Sequence, residues 1–274
     1  MSRMKRTDPT DIIARLAGDG VEAFTLADLR ARFDLTGPQA QQLAYRLARK
    51  NLVRRIKRGL YAILEPADWH GGPGLGVDRY WAAANAVRGE RYYLAYYTAM
   101  ELHEMIQHPL RTVFVAVTKQ HRGLIFGTAS VRFVTLAQGK FFGEEDRRTA
   151  RGHVVKVAQL ERTFLDCADR PDLCGGIEEV FRGFVRRRAD LDADRLLRFV
   201  HRLDKPVVTK RLGLLLELAG GDPELLLELE QAAGRLKRFV PLDRTAPADE
   251  AKRNRRWELI VNADLRRLFA AART

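Results

Sequence analysis

The chain has 274 residues, of which 46% are hydrophobic and 30% are charged, and its formal net charge is +13. That apolar content is enough for ordinary hydrophobic cores, and the length is comfortable for two domains. Only two cysteines occur, with no signal peptide and no apolar run of transmembrane length. These features predict a soluble, cytoplasmic protein without a membrane partner, whose Cys167 and Cys174 are buried rather than cross-linked.

The positive charge indicates an acidic partner, and nucleic acid is the commonest one. The charge is unevenly distributed, because residues 1–64 contain 13 Lys and Arg against 6 Asp and Glu. This N-terminal segment therefore carries +7, and the other 210 residues carry the remaining +6. We expect contact with a polyanion to be concentrated at the N-terminus.

Residues 1–64 show the pattern of a winged helix-turn-helix. A first helix is predicted from Pro9 to about Ala17, and residues 25–28 have the capping-box spacing that begins a second. Residues 34–38 supply turn chemistry, after which a third helix runs to about Lys50. A basic hairpin follows, with predicted strands at 52–56 and 60–64. Helix, turn, helix and basic hairpin are typical of domains that place one helix in the DNA major groove.

The third helix predicts both a core face and a DNA-binding face. Its apolar residues fall on one side at 100° per residue. The opposite side carries amides, a phenol and guanidinium groups but no carboxylate. Gln can pair with adenine, Arg with guanine, and Tyr or Arg with phosphate. The cations of the hairpin repel one another unless a polyanion lies close. The candidate DNA-binding residues are Gln41, Gln42, Tyr45, Arg46 and Arg49 of the helix and Arg54, Arg55, Lys57 and Arg58 of the hairpin.

A Gly- and Pro-rich stretch at 65–77 predicts a linker between domains at 1–64 and 78–274, and we expect few contacts across it. The predicted fold class is α+β: the winged helix, then a mixed α/β domain with a small sheet and a helical C-terminal part. In that second domain, helices are predicted at 78–87, 95–105, 159–168, 176–188, 192–203, 206–219 and 223–233. Strands are predicted at 112–117, 130–136 and 153–157.

The sequence predicts no catalytic residue, metal site or cofactor. His103 and His108 suggest a zinc-protease motif, but five residues rotate about 140° around a helix, so the two rings diverge. Arg162 and Asp166 stand four apart on a predicted helix, and we interpret them as a surface ion pair rather than an acid/base pair. Two basic runs, at 186–188 and 252–256, leave two interpretations open: solvated helix faces, or an auxiliary phosphate-binding surface.

Eight segments, taken in chain order, resemble one protein family. They are residues 24–29, 43–47, 53–61, 92–103, 113–117, 159–166, 169–176 and 211–217. Together they resemble the AbiEi-type antitoxins of bacterial abortive-infection toxin–antitoxin systems, over roughly residues 7–220.

The resemblance implies that the N-terminal winged helix represses its own operon by binding inverted repeats in promoter DNA. It also implies that the C-terminal α/β domain neutralises a cognate nucleotidyltransferase-like toxin, without needing a stable complex. The family's DNA contacts carry over to the helix and hairpin residues already named. Two alternatives remain: a C-terminal enzyme that modifies the toxin or a nucleotide, and a solitary regulator whose second domain senses a ligand or dimerises.

Overall fold

The computed structural model describes residues 8–70, 77–234, 238–247 and 251–264. This part of the chain has an α+β fold with ten α-helices and three small sheets. We refer to residues 8–64 as the N-terminal half and to residues 77–264 as the C-terminal half. Within these described residues, we find no helix that is both long enough and apolar enough to span a membrane.

The N-terminal half consists of three helices and a three-stranded antiparallel sheet in the order β1-β3-β2. Its elements are α1 (Pro9–Gly18), β1 (Ala23–Thr25), α2 (Leu26–Phe33), α3 (Gly37–Arg49), β2 (Val53–Lys57) and β3 (Leu60–Ile63). Thr25 and Asp28 form a complete capping box at α2, and Thr36 and Gln39 form another at α3. Both satisfy backbone N–H groups that a helix start leaves open. The predicted elements of this half are confirmed, and β1 is an addition.

The turn between β2 and β3 depends on Gly59. Its φ is +79°, a conformation in which a side chain would be strained. The register shifts between Arg55 and Lys57, so a β-bulge precedes this turn.

The C-terminal half is built on a six-stranded mixed sheet in the order β6-β7-β5-β4-β9-β8. The strands are β4 (Tyr92–Leu94), β5 (Thr112–Val117), β6 (Leu124–Phe126), β7 (Ala129–Thr135), β8 (Glu144–Arg148) and β9 (Val154–Ala158). Residues 113–117 of β5 are all buried, as an interior strand requires. The three predicted strands, β5, β7 and β9, are confirmed, and the sheet contains three more.

Helices pack against this sheet and against one another. They are α4 (Arg79–Asn85), α5 (Tyr96–Leu102), α6 (Leu160–Asp169), α7 (Ile177–Arg187), α8 (Ala193–Leu203), α9 (Pro206–Leu218) and α10 (Pro223–Ala233). Helix α6 lies at the centre, in contact with α5, α8 and α9. After α10 the described residues form a second small sheet, with β10 (Val240–Pro241), β11 (Lys252–Asn254) and β12 (Leu259–Val261). The expectation of a helical C-terminal part is therefore too simple.

One of the two apolar clusters spans the boundary between the halves, and the other lies within the N-terminal half. The N-terminal sheet turns Ala23, Ile56, Leu60 and Ala62 toward the C-terminal half, and these side chains belong to the large core cluster of that half. Its other face carries Phe24, Val53, Tyr61 and Ile63, which pack with the three helices. The expectation of few contacts across residues 65–77 is wrong, because the second face of the N-terminal sheet is also buried.

Candidate nucleic-acid interface

The outer face of α3 is exposed along its whole length. Gln41, Gln42, Tyr45, Arg46 and Arg49 are all exposed, whereas Ala40, Leu43, Ala44 and Leu47 are buried in the N-terminal core. Tyr45 stands out, because 62% of this large side chain is exposed to solvent. Nothing in the packing of this half accounts for an aromatic ring there.

The two cations of this face, Arg46 and Arg49, form no ion pair with another described residue. Among the residues that the structure describes, no carboxylate lies within ion-pair distance of Arg46 or Arg49, and the first turn of α3 holds no acid. The neighbouring Lys50 does form a pair, with Asp8 at 3.6 Å. The guanidinium groups of Arg46 and Arg49 therefore remain available to an external anion.

The hairpin cations divide into two groups. Arg55 and Arg58 are exposed, and Arg55 lies opposite Tyr61, on the sheet face that carries the helices. Arg54 lies opposite the buried Ala62 and is half-buried on the face turned to the C-terminal half. The Lys57 ammonium donates a hydrogen bond to the carbonyl oxygen of Ala86. Eight of the nine candidate residues are therefore exposed, and Arg54 is half-buried. Lys57 is exposed, but its ammonium group is bonded to the C-terminal half.

The first of the two other basic runs is largely engaged within the chain. Arg186 donates to the carbonyl of Met105 at 3.2 Å, and Arg187 pairs with Asp190 at 3.0 Å. Arg188 donates to backbone carbonyl oxygens at the end of α7 and near residue 220. Such internal partners favour a structural role over phosphate binding.

The second basic run, in the C-terminal sheet, is only partly engaged. Arg256 bridges Glu217 and Glu230, and the Arg253 guanidinium lies 5.5 Å from the Phe239 ring centroid. Lys252 and Arg255 are exposed. All four cations of this run are exposed, but Arg253 and Arg256 have partners within the chain.

The histidines of the zinc-protease-like segment do not come together. His103 is buried, with its Nε2 2.7 Å from the carbonyl oxygen of Ala158, and His108 is exposed. Burial lowers the pKa of His103 to about 4, so its ring is neutral, with Nε2 donating to that carbonyl. Within the described ranges there is no group of three or more His, Cys, Asp or Glu residues placed to hold a metal ion. Cys167 and Cys174 are buried free thiols, as predicted.

The interpretation of Arg162 and Asp166 as a surface ion pair is wrong. The two side chains are 1% and 6% exposed, and Nη2 of Arg162 lies 2.9 Å from Oδ1 of Asp166. The guanidinium also stacks over Phe142, at 4.4 Å from the ring centroid, and donates to the carbonyl of Lys140. The pair lies in the interior because α6 is covered by other helices on several sides.

Comparisons with known proteins establish the fold and no family. The sequence matches no protein-family model and no curated protein. Among solved structures, the crystal structure of the RV2827C protein from Mycobacterium tuberculosis is similar, with a TM-score of 0.68. The two chains are 16% identical, and the match covers 97% of this chain and 94% of that one. At this identity the likeness concerns the fold of nearly the whole chain.

Proposed function

We propose that the N-terminal half is a winged helix-turn-helix that binds duplex DNA. In this arrangement α3 enters the major groove, and the hairpin of β2 and β3 contacts the sugar–phosphate backbone. One observation carries the proposal: the outer face of α3 exposes two amides, a phenol and two guanidinium groups, without a carboxylate among them. That set of donors and acceptors matches base edges and phosphates.

The exposed residues divide by the contacts they can make. Gln41, Gln42 and Arg46 are suited to base edges, because amides pair with adenine and guanidinium groups with guanine. Tyr45, Arg49, Arg55 and Arg58 are suited to phosphates, which fix orientation without reading sequence. We do not assign Arg54 and Lys57 to DNA, because both lie at the contact between the two halves.

We further propose that the protein represses its own toxin–antitoxin operon at promoter inverted repeats, and neutralises a nucleotidyltransferase-like toxin. This part rests on the resemblance to AbiEi-type antitoxins. The acid/base candidates of the C-terminal half, Arg162, Asp166 and His103, are buried against the chain's own groups, so none of the three supports the alternative of a toxin- or nucleotide-modifying enzyme.

The salt dependence of DNA binding tests the DNA interface. With full-length protein, the double variant Arg55→Ala/Arg58→Ala should weaken binding to operator and random duplexes alike, and flatten the slope of log K against log salt by about one to two units. The variant Lys252→Ala/Arg255→Ala removes the same charge from exposed positions of the second basic run, and we expect it to leave the slope unchanged. A flatter slope in this variant would instead assign that run to phosphate binding. Equal slopes for wild type and the Arg55/Arg58 variant would place the hairpin away from DNA.

Base readout is tested on the same fragments. Gln42→Ala or Arg46→Ala should cost about 1–3 kcal/mol on the promoter fragment and much less on random DNA. Equal losses on both duplexes would remove these residues from sequence recognition.

Growth rescue tests the antitoxin proposal. The full-length protein, expressed from an unrelated promoter, should restore growth to cells that express a nucleotidyltransferase-like toxin encoded by the adjacent gene. The Arg46→Ala variant should rescue equally, because it changes the DNA interface alone. Failure of the wild-type protein to rescue would leave a regulator without an antitoxin role.

A further inference from the structure

A pocket of about 480 Å³ lies where the two halves meet. One wall is formed by α1, with Ile13 and Ala17, and the opposite wall by Trp81 of α4 and His153 at the start of β9. Pro66 and Trp69, which follow the N-terminal half, also line the pocket. This volume suits a drug-sized molecule, and ligand sites commonly occur at such junctions.

Two indole rings, those of Trp69 and Trp81, line the pocket. Trp81 stacks on the His153 ring, with the centroids 4.9 Å apart, and Trp69 is held by a 3.0 Å hydrogen bond from its Nε1 to the carbonyl of Leu64. Both rings line the cavity in fixed orientations. The faces of indole rings attract cations, because their quadrupole places negative potential above the ring plane.

The charged side chains around the pocket also favour a cation. Glu22, Glu65 and Asp78 line it, against a single guanidinium, that of Arg151. Arg151 is already engaged with Asp68 at 2.8 Å. Asp78 caps the start of α4 and lies 3.2 Å from Nδ1 of His153, and Glu22 lies 3.8 Å from Nε2 of the same ring. The side chains of Glu22 and Glu65 are exposed at the rim, where a ligand can reach them. An excess of carboxylates is unexpected in a protein whose net charge is +13.

We propose that this pocket binds an apolar organic cation. Its hydrophobic body lies against Trp69 and Trp81, and its positive charge lies beside Glu22 and Glu65. A neutral apolar ligand would gain no attraction from the exposed carboxylates of Glu22 and Glu65, and an anion would be repelled by them. The site is separate from the proposed DNA-binding face and of opposite charge preference. Because its walls belong to different halves, a bound ligand contacts both.

A pair of probes with the same shape and opposite charge tests the proposal. Tetraphenylphosphonium and tetraphenylborate differ little in size, and the overall charge of the protein favours the anion at any non-specific site. We expect full-length protein, without DNA, to bind tetraphenylphosphonium with quenching of tryptophan fluorescence, since two of its three tryptophans line the pocket. Trp69→Phe should remove a large part of this quenching.

The carboxylates are tested by substitution at the rim. Glu22→Gln/Glu65→Gln should bind tetraphenylphosphonium about tenfold more weakly, as measured by calorimetry. Glu224→Gln/Glu228→Gln, an equal charge change at exposed positions of α10, should bind it as the wild type does.

Three results would overturn the proposal: unchanged affinity in the rim variant, tetraphenylborate binding as tightly as the cation in a separate titration, or no binding of the cation up to about 1 mM. None of these results depends on whether the protein binds DNA.

Discussion

At the scale of single residues, the Arg162–Asp166 pair places two opposite charges in the interior of the C-terminal half. Burial raises the pKa of the Asp166 carboxyl, and the adjacent guanidinium opposes that rise. The cost of desolvating both groups is offset by their contact, by the stacking on Phe142 and by the hydrogen bond to Lys140. Loss of either partner leaves the other charge buried and uncompensated.

We therefore expect Arg162→Met to lower the free energy of unfolding by about 3–5 kcal/mol, measured by chemical denaturation. The double variant Arg162→Met/Asp166→Leu should recover much of this loss, because it removes the orphaned carboxylate as well. Arg170→Met breaks the exposed pair with Asp172 and should cost no more than about 1 kcal/mol. Similar losses for Arg162→Met and Arg170→Met would mean that the interior pair is solvated.

The location of this pair could not be predicted from the sequence. A spacing of four residues on a helix is the same whether the helix face is exposed or covered. Burial of α6 depends on α5, α8 and α9, which arrive from distant parts of the chain. The same limit applies to Arg54 and Lys57: their spacing suits a DNA-binding hairpin, but the C-terminal half covers one face of that hairpin.

At the scale of elements, Gly213 of α9 allows the helix to pack closely against Trp257, which lies between β11 and β12. A Cβ atom on Gly213 would lie 2.2 Å from the ring of Trp257, which is fully buried and donates from Nε1 to Glu217 at 2.7 Å. The Trp257 ring therefore packs directly on the backbone of α9, in the space that a side chain at position 213 would occupy. Any side chain at this position displaces the ring that anchors the segment around β11 and β12.

Gly213→Ala should destabilise the protein by about 1–3 kcal/mol, despite the higher helix propensity of alanine. Gly18→Ala, at the end of α1 where a Cβ meets no atom within 4 Å, provides the control and should be neutral or stabilising. Thermal denaturation of both variants measures the difference. A stabilised Gly213→Ala protein would show that Trp257 moves without cost.

The elements that could be predicted from the sequence are those with a clear apolar pattern, either periodic or continuous. The face of α3 follows from a 100° projection, and β5 follows from an unbroken run of apolar and β-branched residues, Thr112–Val117. Strand β8 could not be found in this way, because Glu144–Arg148 contains only charged residues. It is a strand because its backbone pairs with β9. Asp146 also pairs with the opposite Lys156 at 2.9 Å, but one ion pair between distant charges cannot be recognised in a sequence where charged residues are common.

At the scale of the whole molecule, the shared core couples the two halves. Ile56 and Leu60 belong to the N-terminal sheet but pack into the core of the C-terminal half. Removing that contact would expose apolar surface on both sides of the boundary. The halves should consequently unfold together.

Single-tryptophan variants that retain either Trp69 or Trp257 test this coupling. Leu29→Ala removes a side chain buried in the N-terminal core alone and should cost about 2–5 kcal/mol. Its denaturation midpoint should fall equally for the junction reporter Trp69 and for Trp257 in the C-terminal sheet. A Trp257 transition that stays at the wild-type midpoint would show that the halves unfold independently.

The two edges of the six-stranded sheet limit how copies of this protein can associate. At one edge, β6 is only three residues long and lies against β2 of the N-terminal half. At the other, every residue of β8 is charged. Exposed strand edges can recruit a strand from another chain, and short or charged edges resist such recruitment. Two copies of the protein would therefore meet through helices or loops and would not extend one six-stranded sheet into the other.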